Sequence, residues 1–180
     1  MSEIGIRLAG LGGQGVVLSS VIIGRAASVF ENMEAVQTQT YGSDMRGGDV
    51  CSEIIISEQK ILYPIVNYPD ILVVLAQKAF SQHIQDLKEN RILITDKNLV
   101  EVNNVSKNIK HFCGSFNNIA IDKFKDNRVA NMIMLGFLIG KTKILSQASL
   151  EKAIVDLVPA NVMELNIQAF YEGVILGNNL

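Results

Sequence analysis

The stretch from Ile4 to Val16 narrows the fold more than any other. Ile4 to Gly10 reads as a strand, runs into the turn Leu11-Gly12-Gly13-Gln14-Gly15, and the chain resumes with helical spacing from Val16. A strand that turns at once into a helix packed back upon it needs a tight turn, and glycine supplies the backbone angles and close approach. The first N–H groups of a helix have no partner within it, so a glycine turn at that point suits an anion. Gly10-x-Gly12-x-x-Gly15, between a strand and a helix, fits the dinucleotide-binding fingerprint. That fingerprint also wants an acid at the end of the second strand, to hold ribose hydroxyls. Here that end reads Thr38-Gln39-Thr40, and Glu34 precedes the strand, so an NAD site lacks its second half. No Gly-Lys-Ser/Thr follows the turn, which excludes a Walker A loop. A turn that only packs the helix on the sheet, and binds nothing, stays open as an alternative.

Beyond the turn, the spacing predicts a helix over 16–31 and a strand over 34–40. The strand at 49–57 is followed by Glu58-Gln59-Lys60 and a short return through 61–63, which reads as a hairpin. Ile71 to Ala76 is a continuous apolar run of the kind that forms a buried parallel strand. A helix over 78–88 and a strand over 91–95 follow, and 96–115 is polar and unassigned. The last third is helical, with segments over 129–139, from Ser149, and over 162–176 beyond Pro159. Strand–helix alternation argues for an α/β fold. The expectation is a Rossmann-like, mostly parallel sheet with helices on both faces and a helical C-terminal third, as one domain over 1–180.

Composition removes several function classes. Net charge is −2 with no basic stripe, which argues against nucleic-acid binding. The longest apolar stretch, 129–140, is too short to span a bilayer, where about 18 residues are needed. With Glu3 near the start and no leader pattern, the expectation is a cytoplasmic protein with no membrane segment. Charged residues make up 19% and hydrophobic ones 48%. That balance fits a face covered by a partner, or a sheet buried on both sides. The two cysteines, Cys51 and Cys113, fall short of the four thiolates of an iron–sulfur cluster. With only His83 and His111 beside them, no metal site is expected.

No nucleophile–base constellation or G-x-S-x-G elbow is present, so no catalytic residue is assigned. His83 reads as a solvated histidine in a polar helix. Tyr41 to Gly48 is the most unusual loop. Arg46 stands beside Gly47 and Gly48, suited to a bidentate grip on phosphate or carboxylate. Asp44 stands two positions away and offers a structural pairing instead.

Taken together these stretches resemble the gamma subunit of 2-oxoacid:ferredoxin oxidoreductases. The resemblance rests on Gly10 to Val16, on Tyr41-Gly42-Ser43-Asp44-Met45-Arg46-Gly47-Gly48, on Ser52 to Ser57 with Pro64, and on Pro69 to Leu72. It continues at Asn131 to Gly136 and Asn166, in order along nearly the whole chain. The tyrosine–glycine–methionine–arginine loop is most similar to the 2-oxoglutarate branch, called 2-oxoglutarate synthase. Pyruvate, branched-chain 2-oxoacid and indolepyruvate enzymes share the domain. The resemblance implies a non-autonomous subunit of an enzyme that oxidatively decarboxylates a 2-oxoacid to its acyl-CoA and reduces ferredoxin. It implies thiamine diphosphate and iron–sulfur clusters on partner subunits; the partners are alpha and beta, with a delta subunit as a further candidate. For this chain it implies assembly, and coenzyme A binding at Gly12, Gly13, Gln14, Gly15, Tyr41, Arg46, Gly47 and Gly48. The same loops have a competing use in docking the partners, since Tyr41, Met45 and Arg46 are residue types enriched at interfaces. The rival reading is a stand-alone nucleotide or coenzyme A binding module, and a free NAD enzyme ranks third.

Overall fold

A computed structural model describes residues 3–42, 47–103 and 105–179. In β1 (Ile4–Leu11) successive side chains fill opposite faces: Ile6 and Leu8 enter one core and Ala9 the other. After the glycine turn, α1 (Val16–Arg25) buries Val16, Ile22 and Ile23 on the first of these faces. It does not run on to Glu31 as α-helix, because the backbone widens into one π turn over Ala26–Phe30. β2 (Glu34–Tyr41) and β3 (Asp49–Ser57) form an antiparallel pair. The other side of β3 pairs antiparallel with β1. β4 (Ile71–Val74), β5 (Ile92–Asp96) and β6 (Lys110–Gly114) extend the sheet from the far side of β1, each parallel to its neighbour. The order is β2-β3-β1-β4-β5-β6, parallel throughout except for β3.

This order corrects the expected hairpin at 58–63. Both edges of β3 are already taken, by β1 and β2, so a return strand has no edge to pair with. Residues 61–63 run as irregular chain, and the hairpin closes instead through the Tyr41–Gly48 loop. The unassigned stretch before Ser115 contains β6.

Helices lie on both faces. α2 (Gln77–His83), shorter than expected, presses Ala79 and Phe80 onto Leu72, Val74 and Leu93 of the second face. α3 (Phe116–Phe124), α4 (Ala130–Thr142), α5 (Gln147–Leu157) and α6 (Ala160–Asn179) share the first face with α1. α5 starts where the Ser146 hydroxyl accepts from the Ser149 N–H at 3.1 Å, an N-cap. α4 and α6 touch backbone to backbone at their glycines. A Cβ on Gly173 would stand 2.7 Å from the Ile133 carbonyl carbon, and one on Gly136 would stand 2.7 Å from the Val174 nitrogen. This crossing explains how α4 can bury every residue from Asn131 to Gly140.

Candidate functional site

α1 follows β1 on one face of the sheet, and α2 follows the neighbouring β4 on the other. Between the carboxyl ends of these two strands lies a topological switch point, where open α/β sheets place their ligands. The glycine turn sits at that point. Gly13 has φ +94° and nothing within 4 Å of where its Cβ would stand, so its backbone faces open space. Gly15, with φ +70°, is the left-handed residue immediately before α1. The Asn131 side chain packs over it: a Cβ on Gly15 would lie 2.7 Å from Asn131 Cγ and 2.9 Å from Asn131 Cβ. Two stretches far apart in sequence, the turn and the Asn131 segment, are thus in contact.

Gln14 is spoken for within the fold. Its amide oxygen accepts from the Leu11 N–H at 2.7 Å, and its amide nitrogen donates to the Leu75 carbonyl at 2.8 Å. It therefore braces the turn after β1 against the chain leaving β4. The second loop also reaches the turn. Gly12 N–H donates to the Gly48 carbonyl at 2.9 Å, and Gly47 lies against Gly12. Tyr41 is 59% exposed and forms one wall of a groove of about 630 Å³ with Gly12, Gly13, Val17 and Val50. The structure thus brings Gly12, Gly13, Gly15, Tyr41, Gly47 and Gly48 together around one turn. Arg46 lies outside the described residues, as do Ser43, Asp44 and Met45.

Across Gly13 from this groove lies a second cleft of about 480 Å³, between the ends of β4 and β5 and the starts of α3 and α4. Asp96, Asn117, Arg128 and Asn131 line it, none of them anticipated as site residues. Asp96 is 1% exposed and accepts from the N–H groups of Asn98 and Asn117, both at 2.9 Å. Asn131 Oδ1 is buried without a hydrogen-bond partner among the described residues. Arg128 grips Asp126 through two guanidinium nitrogens, and this holds the Asp126 carboxyl down at about 2. One signal was available in the sequence for Asp96. It closes an apolar parallel strand, and ligands gather at such ends.

Charges elsewhere serve the frame. Asp49, at the start of β3, takes Lys78 at 2.8 Å and Gln82 at 3.2 Å, which ties the second loop to α2. The Lys78 hydrogen bond holds its carboxyl below the usual carboxylate range. Arg7 is buried on the second face, bonded to Glu53 at 2.6 Å, to Asp86, and to the Val66 carbonyl at 2.7 Å. It anchors a connecting segment on which Leu62, Tyr63, Ile65 and Tyr68 are each at least half exposed. His83 is half-buried rather than solvated, and burial lowers its pKa. Burial, with Glu53 nearby, pushes the Cys51 thiol up to about 11, which leaves it protonated at neutral pH. Cys51 on β3 and Cys113 on β6 have three strands between them, a separation of about 19 Å. Among the described residues no group of three or more His, Cys, Asp or Glu stands where it could hold a metal, and no helix is long and apolar enough to cross a membrane.

The chain matches the sequence family described as pyruvate ferredoxin/flavodoxin oxidoreductase over residues 5–175. It is 44% identical over 169 residues to the 2-oxoglutarate synthase subunit KorC of Methanocaldococcus jannaschii, covering 93% of this chain and 90% of that protein. The crystal structure of a keto/oxoacid ferredoxin oxidoreductase gamma subunit from Geobacter sulfurreducens superposes with a TM-score of 0.87 at 34% identity, covering 98% of this chain and 99% of that one. The fold also recurs in a 2-oxoglutarate:ferredoxin oxidoreductase from Magnetococcus marinus, solved with 2-oxoglutarate, coenzyme A and succinyl-CoA bound. There the TM-score is 0.90 at 22% identity, covering 100% of this chain and 32% of that longer one.

Proposed function

The chain belongs to the pyruvate ferredoxin/flavodoxin oxidoreductase family, and on that premise we propose that it is the gamma subunit of a 2-oxoglutarate:ferredoxin oxidoreductase. The observation that carries this reading is the 44% identity to a 2-oxoglutarate synthase subunit along nearly all of both chains. Subunits described for pyruvate and indolepyruvate align less well. The complete enzyme oxidatively decarboxylates 2-oxoglutarate, passes the succinyl group to coenzyme A and hands electrons to ferredoxin. This chain is inactive alone. Its two separated cysteines do not fit an iron–sulfur cluster. Thiamine diphosphate and the clusters are assigned to partner subunits; the partners are alpha and beta, with delta as a further candidate. The exposed Leu62, Tyr63, Ile65 and Tyr68 are the surface of a subunit built to be covered.

For this chain's own residues we assign coenzyme A contact to the turn and its second loop. Coenzyme A supplies the thiol that accepts the acyl group, and its phosphates need an anion site. The open backbone at Gly13 and the unpaired N–H groups of the first turn of α1 provide one. Gln14 keeps the turn rigid, Gly12 and Gly48 hold the two loops together, and Tyr41 walls the groove. Arg46 contributes a cation to the phosphates.

Two measurements test the reading. A tagged chain expressed in its native cell should bring down stoichiometric partners, one carrying thiamine diphosphate. Recovery as a clean monomer or homodimer would favour a stand-alone binding module. In assembled enzyme, Arg46→Ala and Gly13→Val should weaken coenzyme A binding by tenfold or more. Unchanged affinity in complexes that still assemble would remove the coenzyme A assignment while leaving the subunit's identity intact.

A further inference from the structure

We propose that β2 is an interface strand and that its occupant is β2 of a second copy of this chain, paired antiparallel about a twofold axis at Thr38. The two edges of the sheet differ. β6 is five residues long and carries Lys110 and His111, which guard it. β2 is eight residues long, carries one charge, Glu34 at its start, and has no Lys, Arg or Pro. Long edge strands without such guards pair with other chains unless they are covered. Residues 38–41 are all exposed, so nothing within the described chain covers this half of the edge.

The ladder fixes which groups point outward. Gly42 N–H donates to the Asp49 carbonyl at 2.7 Å. Antiparallel pairs alternate, so Thr40, Thr38 and Val36 also bond to β3, opposite Cys51, Glu53 and Ile55. Ala35, Gln37, Gln39 and Tyr41 therefore turn their N–H and carbonyl groups away from the sheet. A partner strand must bond to those four.

The sequence says what kind of strand fits. Val36-Gln37-Thr38-Gln39-Thr40 reads almost the same from either end, with glutamines flanking Thr38 and isosteric β-branched residues beyond them. A twofold interface must be complementary to itself, and this one is. With the axis at Thr38, Gln37 of one copy opposes Gln39 of the other, Val36 opposes Thr40, and Ala35 opposes Tyr41. The outward groups then meet each other, giving about eight ladder hydrogen bonds. The two Glu34 side chains stand at opposite ends, roughly 27 Å apart at 3.4 Å per residue, so no like charges face each other. The pairing would join two enzyme complexes through their gamma subunits, and it stands independently of which 2-oxoacid they use.

The test uses the full chain, alone and within its captured complex, with Cys51 and Cys113 replaced by alanine. At the axis, the two Thr38 α-carbons would lie about 4.5 Å apart in a non-hydrogen-bonded pair, a span a disulfide can bridge. Thr38→Cys should oxidise to a covalent dimer, and Glu34→Cys should not. Gln39→Pro removes an N–H that points outward and costs no internal ladder bond. Its circular dichroism should match the parent, and its light-scattering mass should fall twofold, to the monomer. The proposal is overturned by a monomeric parent at tens of micromolar, or by Thr38→Cys failing to cross-link. It is also overturned by equal cross-linking of Glu34→Cys, or by a folded Gln39→Pro chain that remains dimeric.

Discussion

Replacing Gly15 with alanine separates two costs that the structure assigns to one position. The first is conformational: φ is +70°, and an L-residue held in the left-handed region costs about 1 kcal/mol. The second is steric. The new methyl group would sit 2.9 Å from Asn131 Cβ, closer than real Cβ atoms approach. The Asn131 amide can rotate, but its Cβ is fixed by the backbone of α4 and the residue is 4% exposed, so rotation relieves only part of the clash. Overpacking of this kind costs about 1–3 kcal/mol. Gly15→Ala should therefore lose about 2–4 kcal/mol in urea unfolding, and about 4–16 °C in Tm for a chain of this size. In an Asn131→Gly background, which removes Cβ as well as the amide, the clash disappears and only the conformational cost of about 1 kcal/mol remains. The double-mutant cycle should thus show a coupling of about 1–3 kcal/mol, with the double mutant more stable than the sum of the single effects. Additive effects, within about 0.5 kcal/mol, would refute the contact between the turn and Asn131.

Other perturbations have defined outcomes. Gly173→Ala forces α6 away from Ile133 and should cost about 2 kcal/mol or more by thermal melting, despite alanine's higher helix propensity. A neutral result would contradict the backbone-to-backbone crossing. Arg7→Met leaves Glu53 and Asp86 without their shared cation and frees the Val66 carbonyl. It should cost about 1–3 kcal/mol, since the Val66 carbonyl loses its donor while the partly exposed carboxylates can rehydrate, and limited proteolysis should cut the 58–70 segment faster; an unchanged digestion pattern would count against Arg7 as its anchor. Burial lowers the folded-state pKa of His83, so the unfolded chain binds more protons near pH 6. This part of the stability is present above about pH 6.5 and is lost as pH falls from there toward the folded-state value. His83→Gln should flatten the stability profile over that interval, and an identical slope would exclude the residue.

Local signals carried the strand, turn and first helix, because a strand–glycine–helix junction is specified by neighbouring residues. They also carried the family resemblance, which depends on motifs in order rather than on contacts. The position of β3 was not legible. Its residues are the same whether it pairs with a return strand or slots between β1 and β2, and long-range pairing decides. α3 was hidden because Phe116, Ile119 and Ala120 stand among polar residues, and their apolar face is defined only by the helices around them. The loop at Tyr41 was recognised as unusual, and Gly47 and Gly48 do meet Gly12. The second cleft was missed because Asp96, Asn117, Arg128 and Asn131 come from separate elements that only the fold brings together.

As proposed, this chain is an indispensable subunit of a 2-oxoglutarate-oxidising enzyme and is inactive alone. The most direct measurement is 2-oxoglutarate-dependent and coenzyme A-dependent ferredoxin reduction, assayed on the complex captured through this chain, on the partners without it, and on the chain alone. Activity should appear only in the complete complex, with 2-oxoglutarate preferred over pyruvate. Full activity of the partners without this chain, or turnover by the chain unaided, would contradict it.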